Sequence, residues 1–360
     1  MSLRRNTPSD WRTKGSDAEF LIISPRRWLG AVAPLALARE LEGIRTEVVA
    51  VEDLYDEWTG GWESTEAIRQ FVQTAARTGV SAPKYLLLVG DASDDPRQRL
   101  SGSLDNVLPT KLIESSQIVT ASDAWFGDLD GDGTLEIAVG RLPFRSKIEV
   151  ERYVARAIAY SHPTAAQRAI RARAMVVTDN DDRFPFGASG SRAAALLSHR
   201  FNVNEIDLNR ASAATARAAI RSELASGVGV VSYFGHGGTG GWAGENILDS
   251  SLVALGGHRD AAPIVLSQSC LNGYFQQRLS PTLGETWLSA TNGGAIAVVA
   301  STGFTNPYPQ RQLGFAILEE MASSRGTRIG EILLSAQGSA DRATRRTTVL
   351  LGDPTIPLGQ

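Results

Sequence analysis

Short apolar runs alternate with amphipathic stretches along most of the chain, and the alternation predicts an α/β fold. Residues 19–25 (EFLIISP) suit a buried strand closed by proline, 30–42 a helix, and 46–51 (TEVVAV) the next strand. A helix over 64–78 and a strand in KYLLLVG at 84–90 continue the pattern. Strand, helix, strand in succession is the signature of a parallel sheet. Residues 94–121 carry Pro, Gly, Ser and Asp without periodicity and read as irregular. Ser146-Lys147-Ile148-Glu149 is a capping box that opens a helix closing this first unit.

The alternation resumes beyond it. RAMVVTDND is a strand with a polar end, a helix covers about 190–200, a strand 203–207, and Ser212–Ala225 a helix feeding the strand VGVVSYF. The fold class expected is α/β, with two consecutive subdomains at 18–163 and 164–360. Each is a mainly parallel sheet flanked by helices, an α/β/α sandwich. No sequence repeat of fixed period is present. Residues 1–17 are polar and are expected to be a disordered or tag-like terminus.

Composition narrows the functional classes. A 42% hydrophobic and 21% charged chain is ordinary for a soluble globular protein. A net charge of −3 offers no polybasic field for nucleic acid or anionic membrane. No apolar run reaches the ~18 residues of a membrane-spanning helix. The first residues also lack the apolar core of a signal peptide. A single cysteine excludes an internal disulfide.

That cysteine is the leading chemical candidate. The apolar strand VGVVSYF runs into Gly235-His236-Gly237-Gly238, and PIVLSQS runs into Cys270-Leu271-Asn272-Gly273. In an open parallel sheet, reactive groups gather beyond the carboxyl ends of the strands. Two neighbouring strands ending this way place a base, His236, beside a nucleophile, Cys270. The backbone N–H groups of Gly237 and Cys270 are the candidate oxyanion donors. Trp242, in the glycine-rich loop after His236, is a candidate wall of the substrate pocket.

A second cluster lies in GDLDGDGTLE. Asp128, Asp130 and Asp132 alternate ahead of Gly133, and Glu136 follows. Alternating carboxylates in a glycine turn resemble the first half of a calcium loop. An EF-hand would need a glutamate where Val139 stands, so the loop does not read as one; a structural calcium ion held by the four carboxylates and a plain solvated Asp-Gly turn both stay open.

Taken in order, YLLLVGDAS at 85–93, SDAWFGDLDGDGTLEIAVGR at 122–141, YFGHGG, SQSCLNG, GGAIAVVASTG at 293–303 and LLGDPTIPL at 350–358 resemble the gingipain-type cysteine peptidases, relatives of caspases in fold. The resemblance spans the chain from about residue 18. It implies a cysteine endopeptidase with Cys270 as nucleophile and His236 as base, and Asp123 as the acid that orients His236. It implies that Ser301 and Thr302 help line the pocket for the residue before the cut. Asp132 matches the carboxylate that reads a basic residue there, a role competing with calcium binding. Catalysis would need no redox or organic cofactor, and the partners would be protein or peptide substrates. An extracellular or cell-surface location and an origin in a larger multidomain precursor are implied as well.

Two other classes compete. One is a degenerate binding or adhesion domain with a calcium-stapled loop, against which the intact His236 and Cys270 speak. The other is a thiol amidohydrolase of the glutaminase kind, in which the cysteine precedes its histidine. Here the histidine comes first.

Overall fold

Ten strands form one continuous sheet in the computed structural model, which describes residues 9–79, 82–97, 99–102, 105–115, 117–323 and 327–358. In chain order they are β1 (Phe20–Ser24), β2 (Thr46–Ala50), β3 (Tyr85–Val89), β4 (Ala138–Leu142) and β5 (Arg173–Thr178). Then come β6 (Asn202–Asp207), β7 (Val230–Phe234), β8 (Ile264–Gln268), β9 (Ala297–Ser301) and β10 (Thr348–Gly352). The spatial order is β2-β1-β3-β4-β10-β9-β8-β7-β5-β6.

All the pairings are parallel except one, β9 with β10. The sheet is therefore two parallel halves running in opposite directions, joined at that pair. The last strand sits in the middle: β10 pairs with β9 from Ala297↔Gly352 to Ser301↔Thr348, and meets β4 at Leu351↔Arg141. The expected α/β architecture, a mainly parallel sheet flanked by helices, is the one observed. Its sheet runs unbroken across the expected boundary at 163/164, and the half holding β1–β4 also takes the chain's final strand.

The central strands are buried along their whole length, which is why they read as unbroken apolar runs. Alternate residues serve opposite faces. Phe20 and Ile22 join the large core; Leu21 and Ile23 join a smaller one under Leu54, Phe71 and Val72. Each fully buried Leu, Ile or Phe of this kind stabilises the fold by roughly 1.5–3 kcal/mol. The capping box at Ser146 opens the helix Lys147–Ser161 as expected. Buried Arg39 reaches Asp353 at 2.8 Å, tying the helix Leu29–Leu41 to the Gly352-Asp353-Pro354 turn.

Three local expectations change. Residues 112–114 and 119–121 pair as a hairpin inside the stretch read as irregular. The glycine loop after His236 is a small three-stranded sheet, 237–238, 241–242 and 248–249. Of the terminus expected to be disordered, residues 1–8 lie outside the described residues. Beyond them, Trp11–Lys14 is helical, and Trp11 packs edge-on against Phe71 at 5.6 Å.

Candidate active site

β7 and β8 are neighbours in the sheet, and Phe234 stands opposite Gln268 in their register. His236 and Cys270 each come two residues later, so they leave the sheet side by side. The tips touch, since a Cβ on Gly237 would lie 2.7 Å from Ser269 Oγ and 3.0 Å from the Cys270 carbonyl oxygen. Only glycine lets the two loops approach so closely.

Asn272 locks this arrangement. Its side-chain N–H donates to the Gly238 carbonyl at 2.6 Å. Its Oδ1 accepts from the Trp242 indole N–H at 2.8 Å and from the Ser267 and Ser269 hydroxyls at 2.6 and 2.8 Å. Leu271 is held at φ 60, in the left-handed region that non-glycine residues avoid. Its N–H donates to Gly303 and the Gly273 N–H to Ser301. The Cys270 N–H has no acceptor among the described residues.

The thiol is half-buried and rests on Thr305, with Sγ 3.4 Å from the Thr305 N–H nitrogen and 3.7 Å from its hydroxyl. No hydrogen bond joins it to the imidazole among the described residues. His236 is 55% exposed and its Nε2 lies 2.9 Å from Asp182 Oδ2. That bond holds the Asp182 carboxyl below its ordinary value. Asp179 accepts the His236 backbone N–H at 2.9 Å, and burial pushes its carboxyl up. Phe186 meets the imidazole edge-on at 5.3 Å.

Asp182, not Asp123, is thus the carboxylate at the imidazole. Asp123 is buried in a two-pronged ion pair with Arg141, at 2.6 and 2.9 Å, and accepts the Thr110 hydroxyl at 2.7 Å. Arg141 belongs to β4, four strand spacings from β7, or ~19 Å. Asp179 and Asp182 come from the tip of β5, the strand next to β7. Their signal in the sequence was the acidic run TDNDD ending an apolar strand, but nothing there says which strand lies beside the histidine.

Other expected pocket residues are also placed elsewhere. Trp242 has no exposed surface and stacks on Tyr233, with centroids 4.3 Å apart and planes 7° apart, so it supports the loop from beneath. Ser301 bonds the Gly303 backbone, and the Thr302 hydroxyl donates to Ala121 at 2.7 Å, both buried. The chain just beyond them, from Phe304 to Gln310, is what reaches the cysteine. Asp132 is exposed and accepts the Thr134 N–H in a loop packed on Arg342 and Arg345.

Asp128, Asp130 and Glu136 bring carboxylate oxygens within 4.8 Å of one another, a hard donor set that suits a divalent cation. Asp132 is outside that group. Asp91 lies in the half-sheet that runs the other way, where it pairs with Arg145, which also reaches Glu285 at 3.3 Å. Burial raises both carboxyls, Glu285 to about 7.

The family model described as Peptidase family C25 matches residues 13–359. Gingipain R2 of Porphyromonas gingivalis is 23% identical over 308 residues, covering 83% of this chain and 38% of that protein. Gingipain R1 of the same organism is 23% identical over the same length, with 28% of it covered. The chain thus spans well under half of these relatives. The crystal structure of the Arg specific cysteine proteinase gingipain R superposes with a TM-score of 0.79 at 19% identity, covering 98% of this chain and 80% of that one. The complex of Porphyromonas gingivalis RgpB pro- and mature domains gives 0.79 at 19% identity, covering 94% and 79%.

Proposed function

Because the chain belongs to peptidase family C25, of the cysteine peptidases, we propose that it is an endopeptidase whose nucleophile is Cys270 and whose base is His236. One observation carries the assignment of residues: the two side chains emerge from adjacent strand tips in one register. His236 takes the thiol proton, and the thiolate attacks the peptide carbonyl carbon. The unpartnered Cys270 N–H and that of Gly237 steady the oxyanion. The imidazolium then gives its proton to the departing amine. Water, deprotonated by the same imidazole, hydrolyses the thioester and frees Cys270. Asp182, at 2.9 Å from Nε2, fixes the imidazole tautomer and its orientation.

The substrates are proteins or peptides. The relatives named gingipain R, one titled Arg specific, support a basic residue before the cut by family likeness. The same likeness supports an extracellular or cell-surface setting and a larger precursor. Calcium at Asp128, Asp130 and Glu136 would brace the loop ahead of β4 and takes no part in the chemistry.

Peptidyl chloromethyl ketones of varied side chain, followed by intact mass, test the assignment. Alkylation of the wild type and none of Cys270→Ala is the expected result. No alkylation by any probe would favour a binding domain, and hydrolysis of free glutamine an amidohydrolase.

A further inference from the structure

One short turn bonds both loops of the site at once. The Leu283 N–H donates to the carbonyl of Thr239, in the loop of the histidine, at 2.7 Å. The next N–H, that of Gly284, donates to the carbonyl of Asn272, in the loop of the cysteine, at 2.9 Å. A Cβ on Gly284 would lie 2.8 Å from that same oxygen, so the approach requires glycine. Neither bond reaches a reacting atom. Together they tie the two loops to a single piece of backbone.

Glu285 fixes that backbone. Its Oε2 accepts the Thr282 N–H at 2.8 Å and the Thr282 hydroxyl at 2.9 Å, in the capping box that opens the helix Leu283–Ser289. Its Oε1 lies 3.3 Å from Arg145 Nη2, and the same nitrogen pairs with Asp91, past the tip of β3. Both carboxyls are buried. Arg141, already paired with Asp123, also faces Asp91, while Glu285 is faced by Arg145 and by Asp91. One guanidinium thus stands between two carboxyls held out of water. Ionising both would desolvate a second charge beside a like one, which is why both hold their protons above the ordinary carboxylate range.

We infer that Glu285 is a positioning residue for the reaction of Cys270 and His236, and that the buried Asp91–Arg145–Glu285 group makes this positioning depend on one proton. While the two carboxyls share that proton, the turn from Thr282 to Glu285 holds both loops in place. Its loss sets two buried carboxylates against each other across Arg145. Glu285 is then pushed off the Thr282 cap, and the Leu283 and Gly284 bonds to the loops slacken with it. The inference rests on the Cys270 endopeptidase reading and regulates that same site.

The experiment follows cleavage of a fluorogenic peptide with a basic residue before the cut, from acidic to alkaline pH. It compares the wild type with Cys270→Ala, Glu285→Gln, Glu285→Ala and Asp91→Asn, each checked for folding by circular dichroism. The wild type should lose kcat as pH rises through about 7. Glu285→Gln keeps an acceptor for Thr282 and carries no charge, so that fall should vanish. Asp91→Asn leaves one carboxylate for one guanidinium and should abolish it too; if this variant does not fold, Glu285→Gln decides. Glu285→Ala removes the cap, and its kcat should drop on the order of 10-fold below that of Glu285→Gln, with KM little changed. Cys270-dependent cleavage with the same pH profile in the wild type and Glu285→Gln overturns the inference and leaves the endopeptidase reading intact. So does a folded Glu285→Ala whose kcat equals that of Glu285→Gln. No Cys270-dependent cleavage of any peptide overturns both.

Discussion

Asn272 grips Gly238: its side-chain N–H donates to the Gly238 carbonyl at 2.6 Å, from the loop of the cysteine to the loop of the histidine. The same carboxamide accepts from Trp242 beneath that second loop. Spacing between the two reactive side chains is therefore set by a residue that touches neither. Asn272→Leu should lower kcat more than it raises KM, because it frees the loops to drift without removing a substrate contact. Loss of a buried hub of this kind also costs about 1–3 kcal/mol, so a Tm drop should accompany it. Unchanged kcat in a folded variant would show that Asn272 does not set the spacing.

Removing either reactive side chain should abolish turnover while sparing the fold. Both are partly exposed, so Cys270→Ala and His236→Ala should melt within a few degrees of the wild type. Their kcat/KM should fall by on the order of 10³-fold or more. Steady-state kinetics with a cleavable peptide checks this.

Asp182 holds the imidazole from solvent, with 43% of its side chain exposed. Asp182→Asn should lower kcat by on the order of 10- to 10²-fold. The carboxyl lies below its ordinary value because of its bond to the imidazole. An unchanged kcat in the folded variant would assign the orienting role elsewhere.

Asp123 should matter for stability alone. Breaking its buried pair with Arg141 strands a charge, at a cost of about 3–5 kcal/mol. Asp123→Asn should lower Tm by several degrees, and the protein that stays folded should keep its kcat. A large loss of kcat at unchanged Tm would restore it to the catalytic set.

Glu285 makes stability fall with rising pH. Burial lifts its carboxyl from 4.5 to about 7 in the folded protein, with Arg145 opposing. Its contribution is fully present below pH about 4.5 and lost as pH rises through about 7. Glu285→Gln keeps an acceptor for the Thr282 cap and removes the titration. The Tm difference between acidic and alkaline buffer should therefore shrink in the variant.

The residues before and after each strand tip made His236 and Cys270 legible in the chain, because an apolar run ending in glycine-flanked chemistry is a local pattern. The α/β alternation was legible for the same reason: period and burial are written into neighbouring residues. Which strands lie side by side is not local. Strand order alone decided that the acid at His236 comes from the tip of β5 and that Asp123 serves Arg141 of β4, four strands along the sheet from β7. Trp242 likewise could face a substrate or the core, and only the stacking on Tyr233 settled that it faces the core. An amino-acid sequence specifies periodicity residue by residue, whereas contacts between distant segments depend on how the whole sheet is ordered.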